Sequence, residues 1–232
     1  MNSAEFDGFA EDYYQNHRAN IAITGEGPEY FAEYKIAVLS QLISRMKYQT
    51  PRIFDFGSGI GNSIPHVSRL LPGCELTCAD VSQRSLEISE SRFPGQARIL
   101  LIEGERIPAS DNTYDVAFSA CVFHHISHDE HVHWLSEVLR VTRPGGMIAV
   151  FEHNPLNPLT VRAVNTCPFD ANARLIRAGK FVESYRKAGW REPRVRYHVF
   201  FPRALARLRP WEHRLSQVAL GAQYSVVAMK PM

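Results

Sequence analysis

Residues 53–61 read Ile-Phe-Asp-Phe-Gly-Ser-Gly-Ile-Gly, a short apolar run that leads into glycines at alternate positions. Such a run predicts a buried β-strand, and the glycines predict a sharp turn at its end. A helical pattern follows, and Pro65 restricts the start of that helix to about residue 62 or 63. Strand, turn and helix together predict the first unit of an open α/β sheet, in which ligands bind beyond the carboxyl ends of the strands.

Apolar runs and helical patterns alternate through most of the chain, which predicts a mostly parallel sheet with helices on both faces. Residues 1–50 read as helices and predict an N-terminal helical cover, so that residues 51–232 form the main domain. The alternation is interrupted at about residues 153–173, a stretch rich in proline and asparagine that we expect to form a lid-like insertion. Further strands are predicted at residues 75–80, 98–102, 114–120, 147–151, 195–201 and 223–229, and later helices at residues 129–141, 181–190 and 203–215.

Asp80 ends the second predicted strand, about 20 residues beyond the glycine turn. A carboxylate there can accept hydrogen bonds from both ribose hydroxyls of an adenosine, although an acid that merely caps the strand is the alternative. The dinucleotide fingerprint has a further glycine at the position of Asn62, and Asp55 would repel phosphates. Asp55 suits the ammonium group of a methionine moiety instead. These departures favour S-adenosylmethionine over NAD.

Four segments carry a resemblance to a known family. Residues 55–61 resemble motif I of the class I S-adenosylmethionine-dependent methyltransferases, and Asp80 resembles their ribose-binding acid. Residues 114–126 are similar to the fourth-strand motif, and residues 139–146 resemble the turn before the fifth strand. The motifs occur in family order between about residues 52 and 152. The small-molecule branch related to quinone-biosynthesis methyltransferases is the most similar.

The resemblance implies a fold, a cofactor and a set of cofactor-binding residues. The fold is a Rossmann-like α/β sheet with strand order 3-2-1-4-5-7-6 and the last strand antiparallel, and the cofactor is S-adenosyl-L-methionine. Glu105 stands where the family has an aspartate that addresses adenine, and Tyr14 lies on an N-terminal helix with Phe9, Tyr13 and His17. That helix either lines the site or is an amphipathic cover. The implied cofactor residues are Tyr14, Asp55, Gly57, Ser58, Gly59, Asp80, Val81, Glu105 and Ala120.

Residues 124–133 hold five of the ten histidines of the chain and directly follow the fourth predicted strand. His124 and His125 are candidate catalytic residues there, although a role in shaping the pocket or capping a helix is the alternative. His153 leaves the fifth strand toward the same pocket and is the third candidate, with Asn154 beside it. Metal pairs such as His124 with His128 are disfavoured, and we predict no metal site. His128, His131 and His133 are expected on a helix surface, and Asp170 is expected to cap the helix that follows it.

Composition sets the broad class. The 232 residues are 45% hydrophobic and 22% charged with a net charge of +2, which is typical of a globular domain. Four scattered cysteines predict no disulfide framework, and the N-terminus has no signal-peptide pattern. We expect a cytoplasmic monomer or homodimer with a small-molecule acceptor, no membrane association and no nucleic-acid partner.

The leading functional hypothesis is methyl transfer to an oxygen or nitrogen atom of a small molecule, such as a sugar or a natural-product intermediate; carbon methylation stays open. The first alternative is an RNA methyltransferase that uses residues 186–214, where nine basic residues stand against two acidic ones. A noncatalytic cofactor-binding module is the second alternative. An NAD-dependent dehydrogenase is the third, which Asn62 and Asp55 disfavour.

Overall fold

The computed structural model describes residue 21, residues 24–46, residue 48 and residues 50–232. Tyr14, Phe9, Tyr13 and His17, the N-terminal candidates, lie outside the described residues. Within the described part of the chain, no helix combines the length and the apolar character that crossing a bilayer requires.

A seven-stranded sheet organises the chain, in the order β3-β2-β1-β4-β5-β7-β6. Strand β7 runs antiparallel to both of its neighbours, while the pairings among β1 to β5 are parallel. The predicted strand order and the antiparallel last strand are confirmed. The strands are β1 Arg52–Phe56, β2 Glu75–Asp80, β3 Arg98–Leu101, β4 Tyr114–Ala120, β5 Thr142–His153, β6 Arg191–His198 and β7 Gln223–Met229.

Helices cover both faces of the sheet, because successive side chains of each strand point to opposite sides. In β1, Phe54 and Phe56 pack in the core that contains α4 and α6, whereas Ile53 packs in the core that contains α1 and α2. The α-helices in the described residues are α1 Pro28–Ser44, α2 Ile64–Leu70, α3 Gln83–Arg92, α4 His131–Val141, α5 Pro158–Thr166, α6 Ala178–Lys187 and α7 Glu212–Leu215. Among the described residues, 3-10 helices cover Phe123–His125, Pro168–Asp170 and Arg203–Trp211.

The largest departures from the predicted elements lie in β5 and β6. Strand β5 includes residues 143–146, which the sequence predicts as a turn, and its register against β4 shifts between Tyr114 and Val116. Gly145, which lies in the part of β5 where the register shifts, has φ of +72°. Strand β6 begins at Arg191, earlier than the predicted residue 195. It ends at His198, because Val199 has φ of +61° and cannot continue an extended strand.

Residues 153–173 form structure of their own between β5 and α6. The Asn157 side chain caps α5 by accepting a hydrogen bond from the Thr160 amide, at 3.0 Å. The same amide side chain donates to the Leu220 carbonyl, and the Thr160 hydroxyl donates to the Ala222 carbonyl. These contacts tie the segment to the residues that precede β7, so it has a defined position beside the carboxyl ends of the strands.

Candidate active site

The glycine turn after β1 is held against the end of β2. The Gly57 and Ser58 amides donate to the Ala79 carbonyl at 2.8 and 3.0 Å. The Gly59 amide donates to Asp80 Oδ2 at 2.8 Å, and the Ser82 amide donates to Asp80 Oδ1 at 3.0 Å. Asp80 therefore shapes the turn as well as facing the space above it.

Glycine is required at two positions of this turn for different reasons. Gly57 has φ of +74°, and a Cβ there would lie 2.4 Å from a methyl carbon of Val122. Gly59 has φ of +52°, and a Cβ there would meet no protein atom within 4 Å. The backbone at Gly59 is thus open to a ligand, whereas Gly57 is glycine because the chain after β4 approaches it closely.

A cavity of about 350 Å³ opens above the turn, at the carboxyl ends of β1, β2, β4 and β5. Most of the predicted site residues line it, although they come from separate segments of the chain. They are Asp55, Gly57, Ser58, Gly59, Asp80, Ala120, His124, His125 and His153.

A smaller cavity of about 50 Å³ adjoins the turn, and Val81 lines it together with Ile102 and Val122. Asp80 and His125 border both spaces. Glu105 is exposed and lines neither of these two cavities, and its backbone carbonyl contacts the His133 ring at 2.7 Å. Of these two predicted cofactor residues, Val81 can therefore contact a planar ring bound in the small cavity, whereas Glu105 cannot.

Asp55 is buried at the floor of the main cavity and accepts a hydrogen bond from the Ser63 hydroxyl. Burial raises the pKa of Asp55 to about 7, against the opposing effect of the Ser63 hydrogen bond. A cationic group in the cavity would favour its ionised form. The position thus suits an ammonium ligand better than an anionic one.

A chain of polar contacts connects β5 to the turn after β4. His124 Nδ1 lies 2.6 Å from Glu152 Oε2, and both side chains are buried. Glu152 Oε1 also accepts hydrogen bonds from the Val122 and Phe123 amides, at 3.0 and 2.8 Å. Burial alone lowers the pKa of His124, but the carboxylates of Glu152 and Asp170 outweigh it and raise that pKa to about 10. Glu152 therefore orients His124 and compensates its charge.

Asp170 faces the same two histidines from the segment between β5 and α6. Its Oδ1 atom lies 3.5 Å from His124 Nε2 and 3.4 Å from His125 Nε2. Asp170 was expected to cap the following helix, but α6 begins at Ala178 with Arg177 at its cap position, so that prediction is wrong. The sequence does not predict this contact, because Asp170 lies 46 positions beyond His124 and 45 positions beyond His125.

The other histidines of the run have structural contacts. His131 is buried, and its Nε2 atom lies 2.9 and 3.1 Å from the carbonyl oxygens of Phe123 and Ile126. Its predicted place on the helix surface is therefore wrong: the ring braces the 3-10 turn that carries His124. His128 and His133 are exposed, as predicted.

A second polar group borders the cavity around Cys121, which directly follows β4 and adopts φ of +60°. The buried Lys35 ammonium and the Gln223 amide each lie 3.6 Å from its Sγ atom. Burial raises the pKa of this thiol, but the charges of His153 and Lys35 outweigh it and lower that pKa to about 7. Sequence reasoning missed Lys35, Cys121 and Gln223, since they come from α1, the end of β4 and β7.

Aromatic and aliphatic side chains form an apolar part of the cavity wall, chiefly from α1 and from the residues after β6. Arg209 helps to close this wall: it pairs with Glu26 at 2.7 Å and stacks 4.5 Å from the Tyr30 ring centre. One arginine of the basic C-terminal region is thus used within the structure. The apolar lining includes Phe31, Phe118, Val164, Val199, Phe200 and Phe201.

The sheet order and the glycine turn facing an acid at the end of β2 define a Rossmann-like methyltransferase domain. Residues 54–150 match the family described as "Methyltransferase domain". This match and the sheet order support a class I S-adenosylmethionine-dependent methyltransferase domain in this part of the chain.

Relatives and solved structures agree with this class. The chain is 30% identical over 146 residues to a ubiquinone/menaquinone biosynthesis C-methyltransferase from Stutzerimonas stutzeri. The aligned region covers 58% of this chain and 55% of that protein. The chain thus spans about half the length of the curated relatives it matches. A SAM-dependent methyltransferase from Thermotoga maritima shares the fold at a TM-score of 0.68 and 18% identity, over 98% of this chain and 99% of that one. Haemonchus contortus phosphoethanolamine N-methyltransferase 2, solved with S-adenosyl-L-methionine, has a TM-score of 0.66 at 15% identity, over 98% of this chain and 60% of that one.

Proposed function

We propose that this protein transfers a methyl group from S-adenosylmethionine to a small molecule held in the main cavity. The observation that carries the proposal is the Gly59–Asp80 contact beside an open cavity. Gly59 leaves space for a ligand, and Asp80 stands at the strand end where a ribose would lie. Asp55 lies below the same space and would face the ammonium group of the methionine moiety.

The transfer is a direct displacement. When bound, S-adenosylmethionine would supply an electrophilic methyl group, and an electron pair of the acceptor would displace it from sulfur, which would keep the electron pair of the broken sulfur–methyl bond. If the acceptor is a hydroxyl, its proton must leave to a base. Among the three candidate histidines, His153 is proposed for this role, because both ring nitrogens of His124 face carboxylates and the Nε2 atom of His125 faces Asp170. The cavity contributes by positioning the acceptor in line with the sulfonium.

The acceptor is proposed to be a molecule with an apolar body and at least one polar group. The apolar wall around Phe31, Phe200 and Phe201 suits the body, and the histidine end of the cavity suits the polar group. This polarity supports the proposal of an oxygen or nitrogen acceptor. A carbon acceptor is the second candidate, because the quinone-biosynthesis relative named above is a C-methyltransferase.

Calorimetric titration tests the cofactor first. Wild-type protein is titrated with S-adenosylhomocysteine and, separately, with NAD; we expect saturable binding of the first. Asp80→Asn should weaken it by about tenfold or more, through the loss of charge-assisted hydrogen bonds to the ribose. Glu75→Gln is the matched control, since Glu75 is an exposed carboxylate at the opposite end of the same strand.

Two results would overturn the cofactor assignment. One is NAD binding without any response to S-adenosylhomocysteine, and the other is equal affinity in the Asp80→Asn and Glu75→Gln variants. The acceptor is then sought with a labelled methyl donor and panels of phenols, amines and quinols. Methyl transfer to RNA with a steep salt dependence, and to none of these small molecules, would replace the small-molecule proposal.

A further inference from the structure

Three side chains from two distant segments meet at one wall of the main cavity. His124 and His125 belong to the 3-10 turn after β4, and Asp170 belongs to the 3-10 turn at Pro168–Asp170. One ring nitrogen of each histidine and one carboxylate oxygen of Asp170 all lie within 4.8 Å of one another. The three residues also line the cavity, so the space between their polar atoms is continuous with it.

The spacing of these atoms fits shared ligands of one ion. Asp170 Oδ1 lies 3.5 Å from His124 Nε2 and 3.4 Å from His125 Nε2. A charge-assisted hydrogen bond between such groups is shorter, at about 2.7–2.9 Å. Two ligands at about 2.0–2.2 Å from one tetrahedral ion are separated by roughly 3.3–3.6 Å. The observed separations match the second geometry.

Glu152 completes the arrangement that metal-binding histidines commonly have. Its carboxylate holds His124 Nδ1 at 2.6 Å, which leaves Nε2 as the atom directed toward Asp170. A histidine that ligates a metal through one nitrogen usually donates its other N–H to a carboxylate or carbonyl, which orients the ring. Glu152 is itself oriented by the Val122 and Phe123 amides. The His124 ring is thus preorganised.

We propose that His124, His125 and Asp170 bind one divalent transition-metal ion, with Zn²⁺ as its representative, at the cavity wall. Two imidazoles and one carboxylate suit first-row transition ions, whereas Mg²⁺ and Ca²⁺ prefer oxygen ligands alone. With three protein ligands, such an ion keeps a coordination position for a further oxygen donor. This proposal differs from the sequence-based prediction of no metal site, because Asp170 adds a third ligand from a distant segment of the chain.

The ligand class of the open position is an oxygen of the acceptor, such as a hydroxyl, a carbonyl or a carboxylate. A bound cation fixes such a group and lowers the pKa of a hydroxyl. This use of the ion rests on the proposed methyl transfer, whereas binding of the ion does not. The two can therefore fail separately.

The experiment uses full-length protein without a polyhistidine tag, freed of metal by a chelator and dialysed. Co²⁺ is titrated in as a spectroscopic probe, and Zn²⁺ is then added as a competitor. We expect visible absorption typical of tetrahedral Co²⁺ that saturates at one ion per chain and is abolished by Zn²⁺. Asp170→Asn and His125→Ala should each weaken binding by at least about tenfold. His128→Ala, in the same histidine-rich run but exposed, should bind as wild type.

Asp170→Asn keeps the size of the side chain, so it still tests the site if the His125→Ala variant fails to fold. Thermal unfolding measures whether both variants are folded. Absence of saturable Co²⁺ binding, or binding that Asp170→Asn leaves unchanged, overturns the metal site and identifies the cluster as a contact that anchors the 153–173 segment. Calorimetry with S-adenosylhomocysteine on the same metal-free protein reports the cofactor site independently. Normal cofactor binding without metal binding would sink this inference and leave the proposed function standing.

Discussion

The Glu152 carboxylate and the His124 imidazole meet at 2.6 Å, with both side chains 1% exposed. They join the end of β5 to the turn after β4, so one buried contact fixes the wall of the cavity. Removing one partner of a buried pair costs about 3–5 kcal/mol, because the other group stays buried without compensation. The pair is therefore central to the stability of the site.

We expect Glu152→Gln to lower the free energy of unfolding by about 3 kcal/mol, since glutamine keeps the size but loses the charge that His124 faces. Chemical denaturation in the presence of a chelator measures this. Glu103→Gln, an exposed carboxylate, should stay within about 0.5 kcal/mol of wild type. Equal stabilities of the two variants would show that the buried contact contributes nothing measurable.

Asp55 predicts a pH dependence of stability. Burial raises its pKa from 3.8 to about 7, so between about pH 4 and pH 7 the folded protein binds its proton more tightly than the unfolded chain does. Stability contributed by this group is present at low pH and is lost as pH rises through that window. The asparagine of the Asp55→Asn variant does not titrate in this range. The stability of this variant relative to wild type should therefore rise from pH 4 to pH 7 and then level off.

Denaturant titrations at several pH values measure the Asp55 effect, which is on the order of 4 kcal/mol at most for a shift of this size. Asp111→Asn is the control, because Asp111 is an exposed carboxylate whose pKa is lowered, and not raised, by the hydrogen bond from Arg140. This variant should not reproduce the pH dependence of Asp55→Asn. A difference between Asp55→Asn and wild type that does not vary with pH would contradict the raised pKa.

The two turn glycines should respond differently to alanine. Gly59→Ala places a methyl group in the cavity, so we expect a loss of about 1–2 kcal/mol in stability from the left-handed backbone and a larger loss in cofactor affinity. Gly57→Ala adds a collision with Val122 and should destabilise the fold more. Denaturation and calorimetry with S-adenosylhomocysteine separate the effects, and Val122→Ala should partly rescue Gly57→Ala. Unchanged affinity in Gly59→Ala would mean that the ligand does not approach this backbone.

Cys121 should react with iodoacetamide at lower pH than an ordinary cysteine. Its pKa of about 7 predicts a rate that rises through neutral pH, because the thiolate is the nucleophile. Lys35→Met removes a nearby positive charge and should move the rise to higher pH. Cys74 is the internal control, since burial raises its pKa; peptide mass spectrometry distinguishes the two sites. Reaction of Cys121 and Cys74 with the same pH profile would refute the assignment.

The part of the cavity around the glycine turn could be predicted from the sequence because it is built from local patterns. Strands β1, β2 and β4 follow from their apolar runs, and the turn follows from glycines that directly succeed one of them. Since parallel strands bring their carboxyl ends to one edge, Asp55, Gly59 and Asp80 were expected to meet there. The structure places all three around the main cavity.

The part of the cavity around Cys121 and Asp170 could not be predicted, because its contacts depend on long-range packing. Lys35 interrupts an apolar stripe of α1, and a lysine in an amphipathic helix ordinarily faces water. It is buried here because Cys121 and the cavity lie opposite. Asp170 shows the same effect: local rules favour a helix cap, but the folded segment turns its carboxylate toward His124 and His125.

The segment of residues 153–173 has a consequence for how such a protein can be redesigned. The glycine turn is held by main-chain amides and Asp80, none of which belongs to that segment. The segment itself is attached chiefly through side-chain contacts of Asn154, Asn157, Thr160 and Asp170. A segment of about this length could therefore be grafted from a relative to alter selectivity, provided that those four anchoring positions are retained.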